Sequence, residues 1–209
     1  MSLSIGLRER KKLATRLALS HAAVRLAMER GLERVRVEDI AAAADVSLRT
    51  FNNYFASKEE AFVYLALERA NQIGATLRAR PPAEPLAVAL TQAFIAHYSS
   101  AGDVNSDWVA QLRLILSAPA LRGAYLKTLV ASERPLAEAI AARTGADVDR
   151  DLYPRVLAAA LSSAARVAVT YWLSIAASQP LTTVMGQAIA CVVAGGEYPP
   201  LSKERSDAP

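Results

Sequence analysis

Apolar residues recur along this chain at the three-to-four-residue spacing of amphipathic helices, interrupted by short polar, glycine or proline breaks. Leu19, Ala22, Ala23, Leu26 and Ala27 form one apolar stripe within a helix expected from about Leu7 to Arg30. Gly31 ends that helix, because glycine takes the left-handed conformation common after helix ends. Two short helices follow, Val37–Ala43 and Ser47–Phe55. Ser57 with Glu60 then makes a capping-box pattern that opens a long helix reaching about Ala79. Pro81, Pro82 and Pro85 break the chain before a helix over about Leu86–Ser99. Ser100–Ser106 reads as a loop, and Asp107 as the cap of a helix carrying Trp108, Leu112, Ile115 and Leu116. Pro119 suits the first turn of the next helix, which ends near Gly145. Helices over Leu152–Ala177 and Leu181–Ala194, separated by Gln179 and Pro180, complete the series. The polar tail after Pro199 is expected to be disordered.

Composition sharpens this into an all-α reading. Hydrophobic residues make up 53% of the 209 positions but aromatics only 6%, so alanine and leucine, both strong helix formers, carry the apolar content. The single cysteine, Cys191, excludes an internal disulfide, fits a reducing cytosol and is expected to be buried. Arg8, Glu9, Arg10, Lys11 and Lys12 interrupt any signal-peptide core. Val156–Ala177 approaches the length of a membrane span, but Arg166 at its centre and Ser162, Ser163 and Ser174 around it favour a buried bundle helix. A cytoplasmic protein without a membrane partner is expected.

Charge divides the chain unevenly. Residues 1–58 hold 11 of the 24 Lys and Arg but 6 of the 20 Asp and Glu, a net of +5; the remainder nets −1. An excess of positive charge in one segment suits a surface facing phosphate, although a solvated helix face has the same composition.

Residues 36–62 read RVEDIAAAADVSLRTFNNYFASKEEAF. A helix-turn-helix needs two short helices, a tight turn and small residues where they touch. Val37, Ile40 and Ala41 give the first helix an apolar face, Ala42–Ala44 allow close approach, and Val46 plugs the turn. Ser47 can cap the second helix, in which Phe51, Tyr54 and Phe55 form one side. Leu48, Arg49, Asn52 and Asn53 project from the other, and Arg and Asn are the side chains able to make bidentate contacts with guanine and adenine edges.

This segment resembles the DNA-binding domain of TetR-family regulators. The likeness runs through an alanine-rich helix ending in glycine (His21 to Gly31), then Val37–Ile40–Ala41, then Ser47 through Glu59. It covers about the first 60 residues. Two positions depart from the pattern: Arg36 replaces the usual Thr or Ser cap, and Asp45 replaces the usual turn Gly or Asn. The resemblance implies a ligand-responsive regulator, a repressor by the family habit, with double-stranded operator DNA as partner. It places Leu48, Arg49, Asn52 and Asn53 against bases. Ser47, Thr50, Tyr54 and Lys58 face phosphates, with Arg36 and Val37 at the start of the preceding helix. Arg8, Arg10, Lys11 and Lys12 form an arm over the backbone or minor groove. It further implies a division into a DNA-binding domain at 1–58, a ligand-binding and dimerisation domain at 59–198 and a tail at 199–209. The last two long helices would pair two copies as a homodimer.

The effector is less legible. Phe62, Phe94, Tyr98, Trp108, Leu112, Tyr125 and Trp172 are candidate lining residues, though each also suits plain core. Arg113 and Arg166, on otherwise apolar helices, call for an anionic partner, either a carboxylate such as Asp107 or a ligand head group. Arg49–Thr50–Phe51–Asn52–Asn53 also resembles regulators that bind acyl-CoA-like ligands, which makes an acyl-CoA or fatty acid the leading effector. Two histidines, one cysteine and scattered carboxylates offer neither a nucleophile–base pair nor metal-ligand spacing, so neither enzyme activity nor a cofactor is expected. A sequence-indifferent DNA binder would have no use for the base-edge set on the second helix.

Overall fold

The computed structural model describes residues 6–99, 106–175 and 178–195. They form nine α-helices and one 3₁₀ turn, without strands. Three helices make the N-terminal unit: α1 (Leu7–Arg30), α2 (Val37–Ala43) and α3 (Leu48–Asn52), with the 3₁₀ turn at Leu32–Arg34. The remaining six are α4 (Lys58–Ala79), α5 (Leu86–Ser99), α6 (Ser106–Ser117), α7 (Pro119–Thr144), α8 (Leu152–Ser174) and α9 (Leu181–Val193).

The expected bounds of α1, α2 and α5 are those observed, and α4 starts directly after its Ser57 cap. Other ends move inward. α3 stops at Asn52, so it is shorter than the expected Ser47–Phe55, and α8 and α9 end at Ser174 and Val193. α6 starts at Ser106, so Asp107 lies in its first turn rather than at its cap. The expected loop at 100–106, apart from its last residue, and the expected tail at 199–209 fall outside the described residues.

The predicted stripe of α1 is fully buried: Leu19, Ala22, Ala23, Leu26 and Ala27 pack into one core that continues through Phe62, Leu77, Phe94 and Ile140 into α8 and α9. α4 runs from the N-terminal unit into the C-terminal helices and packs along α7. Their approach is close enough to require glycine. A Cβ on Gly74 would lie 2.9 Å from the Pro135 carbonyl oxygen, and Arg78 Nη2 donates to that same oxygen at 3.2 Å. Pro135 stands inside α7 and lacks the N–H that would bond the preceding turn.

α8 has the length and hydropathy of a membrane span. One face of it, with Leu161, Ala165, Val169 and Trp172, is buried against the bundle. Cys191 is exposed on α9, contrary to the expected buried thiol, because the buried face of α9 is the row Leu181, Val184, Met185 and Ile189.

Candidate nucleic-acid interface and effector cavity

The reading unit is assembled from local caps. Asp45 takes φ +55°, the left-handed conformation the turn demands, and Asp tolerates this region better than most non-glycine residues. Arg36 stands at the N-cap of α2. Its side chain cannot accept a hydrogen bond, and the cap is made in the reverse direction: the Arg36 N–H donates to Asp39 Oδ2 at 3.0 Å. Ser47 caps α3, accepting from the Thr50 N–H at 3.1 Å, with the two hydroxyl oxygens 2.9 Å apart. Ser57 caps α4 through the Glu60 N–H at 3.2 Å. The Glu60 carboxylate reaches back to the Ala56 N–H at 2.7 Å, one residue earlier than in the usual capping box.

Side chains on α3 split as the spacing predicts. Phe51 and Phe55 are buried, with ring centroids 5.8 Å apart, and Tyr54 is half-buried. Ser47, Leu48, Arg49, Asn52 and Asn53 are exposed, while Thr50 is half-buried beneath its cap. Leu48, 41% exposed, presents an apolar tip suited to contact with a thymine methyl. In α2, Ile40 and Ala41 are buried and Val37 is half-buried, but Ala42 and Ala43 face solvent. Of the expected small residues only Ala44 packs against the core, beside buried Ala41. Lys58, assigned to phosphate by the family resemblance, donates to the carbonyls of Leu32 at 2.8 Å and Val35 at 3.0 Å. Two of its three donors thus tie α4 to the 3₁₀ turn.

The basic arm is helical. Arg8, Arg10, Lys11 and Lys12 are exposed on the first turns of α1, ahead of its first buried residue, Leu19. An α-helix with side chains is about 10–12 Å across, and a B-form minor groove is about 6 Å wide. A helix of this width does not itself enter a minor groove, so any contact there is made by side chains reaching from its first turns.

Several contacts fasten the reading unit to α4. Ser20 Oγ donates to the Ala61 carbonyl at 2.7 Å in the buried interior. The Arg16 guanidinium lies 5.4 Å from the Tyr64 ring centroid and 6.0 Å from that of Phe55, a double cation–π contact. Tyr64 Oη donates to Glu68 Oε1 at 2.7 Å. Burial, then the hydrogen bond to Glu68, pushes the Tyr64 phenol up to about 12.

Of the candidate effector residues, four meet around one cavity of about 30 Å³: Phe94 and Tyr98 from α5, Tyr125 from α7 and Arg166 from α8. The sequence reading did not single out the α4 wall (Ala70, Ile73) or the α7 residues Leu129, Ser132 and Leu136. The polar signal was there in Ser132 and Ser162, which interrupt apolar helix faces beside Tyr125 and Arg166. Burial pushes the Tyr125 phenol up, and the nearby Arg166 charge opposes that shift. The other five candidates lie elsewhere. Phe62 and Leu112 are buried core, Arg113 is exposed, and Trp108 packs on Trp172 with centroids 6.2 Å apart. Trp172 Nε1 donates to the Gln179 carbonyl at 2.8 Å, closing the α8–α9 turn.

Comparison with known proteins bears on this arrangement. Residues 19–65 match the family described as bacterial regulatory proteins, tetR family, and residues 84–197 match the MftR C-terminal domain of TetR-type proteins. The HTH-type transcriptional regulator TcmR of Streptomyces glaucescens is 36% identical over 173 residues, 80% of this chain and 76% of that protein. Two solved structures share the fold. FadR of Thermus thermophilus with lauroyl-CoA has a TM-score of 0.54 at 20% identity, over 92% of this chain and 100% of that one. The SmeT–triclosan complex has a TM-score of 0.57 at 16% identity, over 87% and 91%. With a family match over more than half of its length and a curated regulator aligned across most of both sequences, this chain belongs to the TetR family of transcriptional regulators.

Proposed function

We propose that this regulator is a cytoplasmic repressor that reads its operator with α3 and leaves it when an apolar acid enters the cavity beside Arg166. The observation that carries the first half is the exposed set Leu48, Arg49, Asn52 and Asn53 on a helix anchored from behind by Phe51 and Phe55. Those four side chains meet base edges. Ser47, Thr50, Tyr54 and the remaining donor of Lys58 meet phosphates, with Arg36 and Val37 at the adjoining start of α2, and the basic turns of α1 lie along the backbone. Residues 1–58 form the reading domain, and the helices from residue 59 onward form the effector and pairing domain.

Helix-turn-helix proteins commonly act as dimers on paired half-sites. α8 and α9 offer a surface for that pairing. α8 exposes Tyr153, Val156, Val167 and Tyr171, each at 50% or more, and α9 turns the uncharged row Thr183, Gln187, Ala190, Cys191 and Ala194 outward. Ala190→Arg places a charge in that row and is expected to convert dimers to monomers in light scattering.

Arg166 supports an anionic effector. It lines the cavity with Tyr98 and Tyr125 and forms no ion pair among the described residues; the Asp107 side chain is not among them. Ligand pockets usually span about 300–1,000 Å³, so a cavity of about 30 Å³ must open for an effector to enter. Entry then separates α7 from α4 and α5, and α4 carries that movement to the reading unit. An acyl-CoA or fatty acid is the leading effector, a class represented by the lauroyl-CoA bound to the Thermus thermophilus relative. Thermal shift with long-chain acyl-CoAs and fatty acids, against short-chain controls, tests this. Stabilisation that grows with chain length and is lost in Arg166→Gln is expected; no stabilisation at any chain length contradicts it.

A further inference from the structure

A much larger opening, of about 880 Å³, lies where α1, the α2–α3 turn and α6 meet. Its volume falls in the range of ligand pockets, and domain junctions are where such pockets often occur. α1 contributes Met28, which is 41% exposed, and the Arg25–Glu29 ion pair at 3.7 Å. The turn contributes Asp45, and α6 contributes half-buried Trp108. His21 stands on the same side of α1. Gln111 Nε2 donates to the Phe62 carbonyl at 3.4 Å and holds the α6 wall to α4.

The charges in this groove do not balance. Arg25 and Glu29 offset one another, whereas Asp45 makes no ion pair among the described residues. An exposed carboxylate without an ion pair among the described residues thus lines the same groove as an indole and a thioether. An indole face attracts positive charge, a thioether packs favourably on aromatic rings, and a carboxylate supplies the counter-charge. We propose that this groove is a second effector site, one that takes lipophilic aromatic cations. It is separate from the cavity beside Arg166, whose charge favours anions.

The location gives such a ligand leverage on DNA binding. Asp45 sets the turn that aims α3, at φ +55°, while Trp108 stands on α6 and packs on Trp172 of α8. A molecule held between Asp45 and Trp108 touches both domains and biases their relative placement by its differential affinity for each arrangement.

Tetraphenylphosphonium is a suitable probe, titrated into the full-length protein without DNA and followed by calorimetry and tryptophan fluorescence. Tetraphenylborate, of similar shape and opposite charge, is the control. Saturable binding of the cation at one site per chain is expected, with quenching that disappears in Trp108→Phe. Asp45→Asn keeps a residue tolerant of the left-handed region, so it is expected to fold as before and to weaken the cation by about tenfold or more, the order expected when charge assistance is lost. Arg166→Gln is expected to leave cation binding unchanged. Absence of saturable binding, equal binding by Asp45→Asn, equal occupation by tetraphenylborate, or loss of the cation in Arg166→Gln would each overturn the proposal. None of these results bears on whether fatty acids bind beside Arg166.

Discussion

The two halves of this molecule are specified in different ways. In the reading unit, named side chains hold nearly every turn: Asp39 on the Arg36 N–H, Ser47 on α3, Ser57 and Glu60 at the start of α4, and Lys58 on the carbonyls of Leu32 and Val35. The effector half also fastens its turns with named side chains, Arg143 on the carbonyls of Arg80, Pro81 and Glu84 and Trp172 on that of Gln179, but around the cavity its helices meet through apolar area and a close crossing at Gly74. DNA presents a fixed pattern of donors and acceptors, so a surface that reads it must hold each side chain in place. A pocket that opens around a ligand needs only suitable volume and a few polar groups, which many sequences supply.

The sharpest way to break this contrast is to remove the anchor of α3. Phe51→Ala deletes a fully buried ring and is expected to cost about 3–5 kcal/mol. Urea denaturation followed by circular dichroism should show that loss, together with loss of operator binding. A cost below that range would mean that α3 is held by its caps more than by its core.

Gly74→Ala tests the other half. The added methyl meets backbone, which cannot swing aside, so about 1–3 kcal/mol of destabilisation is expected from overpacking. Differential scanning calorimetry should report a lowered Tm. An unchanged Tm would show that the α4–α7 crossing gives way easily.

Ser57→Ala removes the cap of α4 and is expected to cost about 1 kcal/mol, read in the same denaturation experiment. Repeating it in Glu60→Ala would show how far the Ala56 contact compensates. A further effect concerns alkaline pH. The folded Tyr64 phenol titrates near 12 against an ordinary value of 10, so the native state retains a proton that the unfolded chain releases earlier. The stability linked to Tyr64 is complete below pH 10 and declines as pH rises from 10 towards 12. Ultraviolet titration of the phenols should show a late phase, reduced in Tyr64→Phe, with Tyr125 contributing to the remainder.

Legibility followed the same division. The stripe of α1, the Ser47 and Ser57 caps and the outward set on α3 are all local consequences of spacing, while the special turn position of Asp45 was flagged by the family resemblance. The direction of the Arg36 cap was not, because it depends on which side chain supplies the acceptor. Lys58 was hidden for a related reason: its partners, Leu32 and Val35, lie more than 20 residues away. The effector cavity was legible only in part. Its walls come from four helices, so Phe94, Tyr98, Tyr125 and Arg166 could be proposed, but Phe62, Leu112 and Trp172 are equally aromatic or aliphatic and turn into core. Exposure of Cys191 was likewise invisible, since α9 is uncharged all round and only its packing on α8 and α5 decides which side faces outward.

The most direct test of the central claim is fluorescence anisotropy of the wild-type protein and Arg49→Ala on the DNA upstream of the gene, with scrambled DNA as control, over a salt series. The wild type is expected to prefer its own upstream DNA at moderate salt, with a linear log–log salt dependence. Arg49→Ala is expected to lose about 1–3 kcal/mol on that DNA and little on the scrambled control. Equal affinity of the wild type for both DNAs, with equal loss on both in Arg49→Ala, would contradict sequence reading by α3.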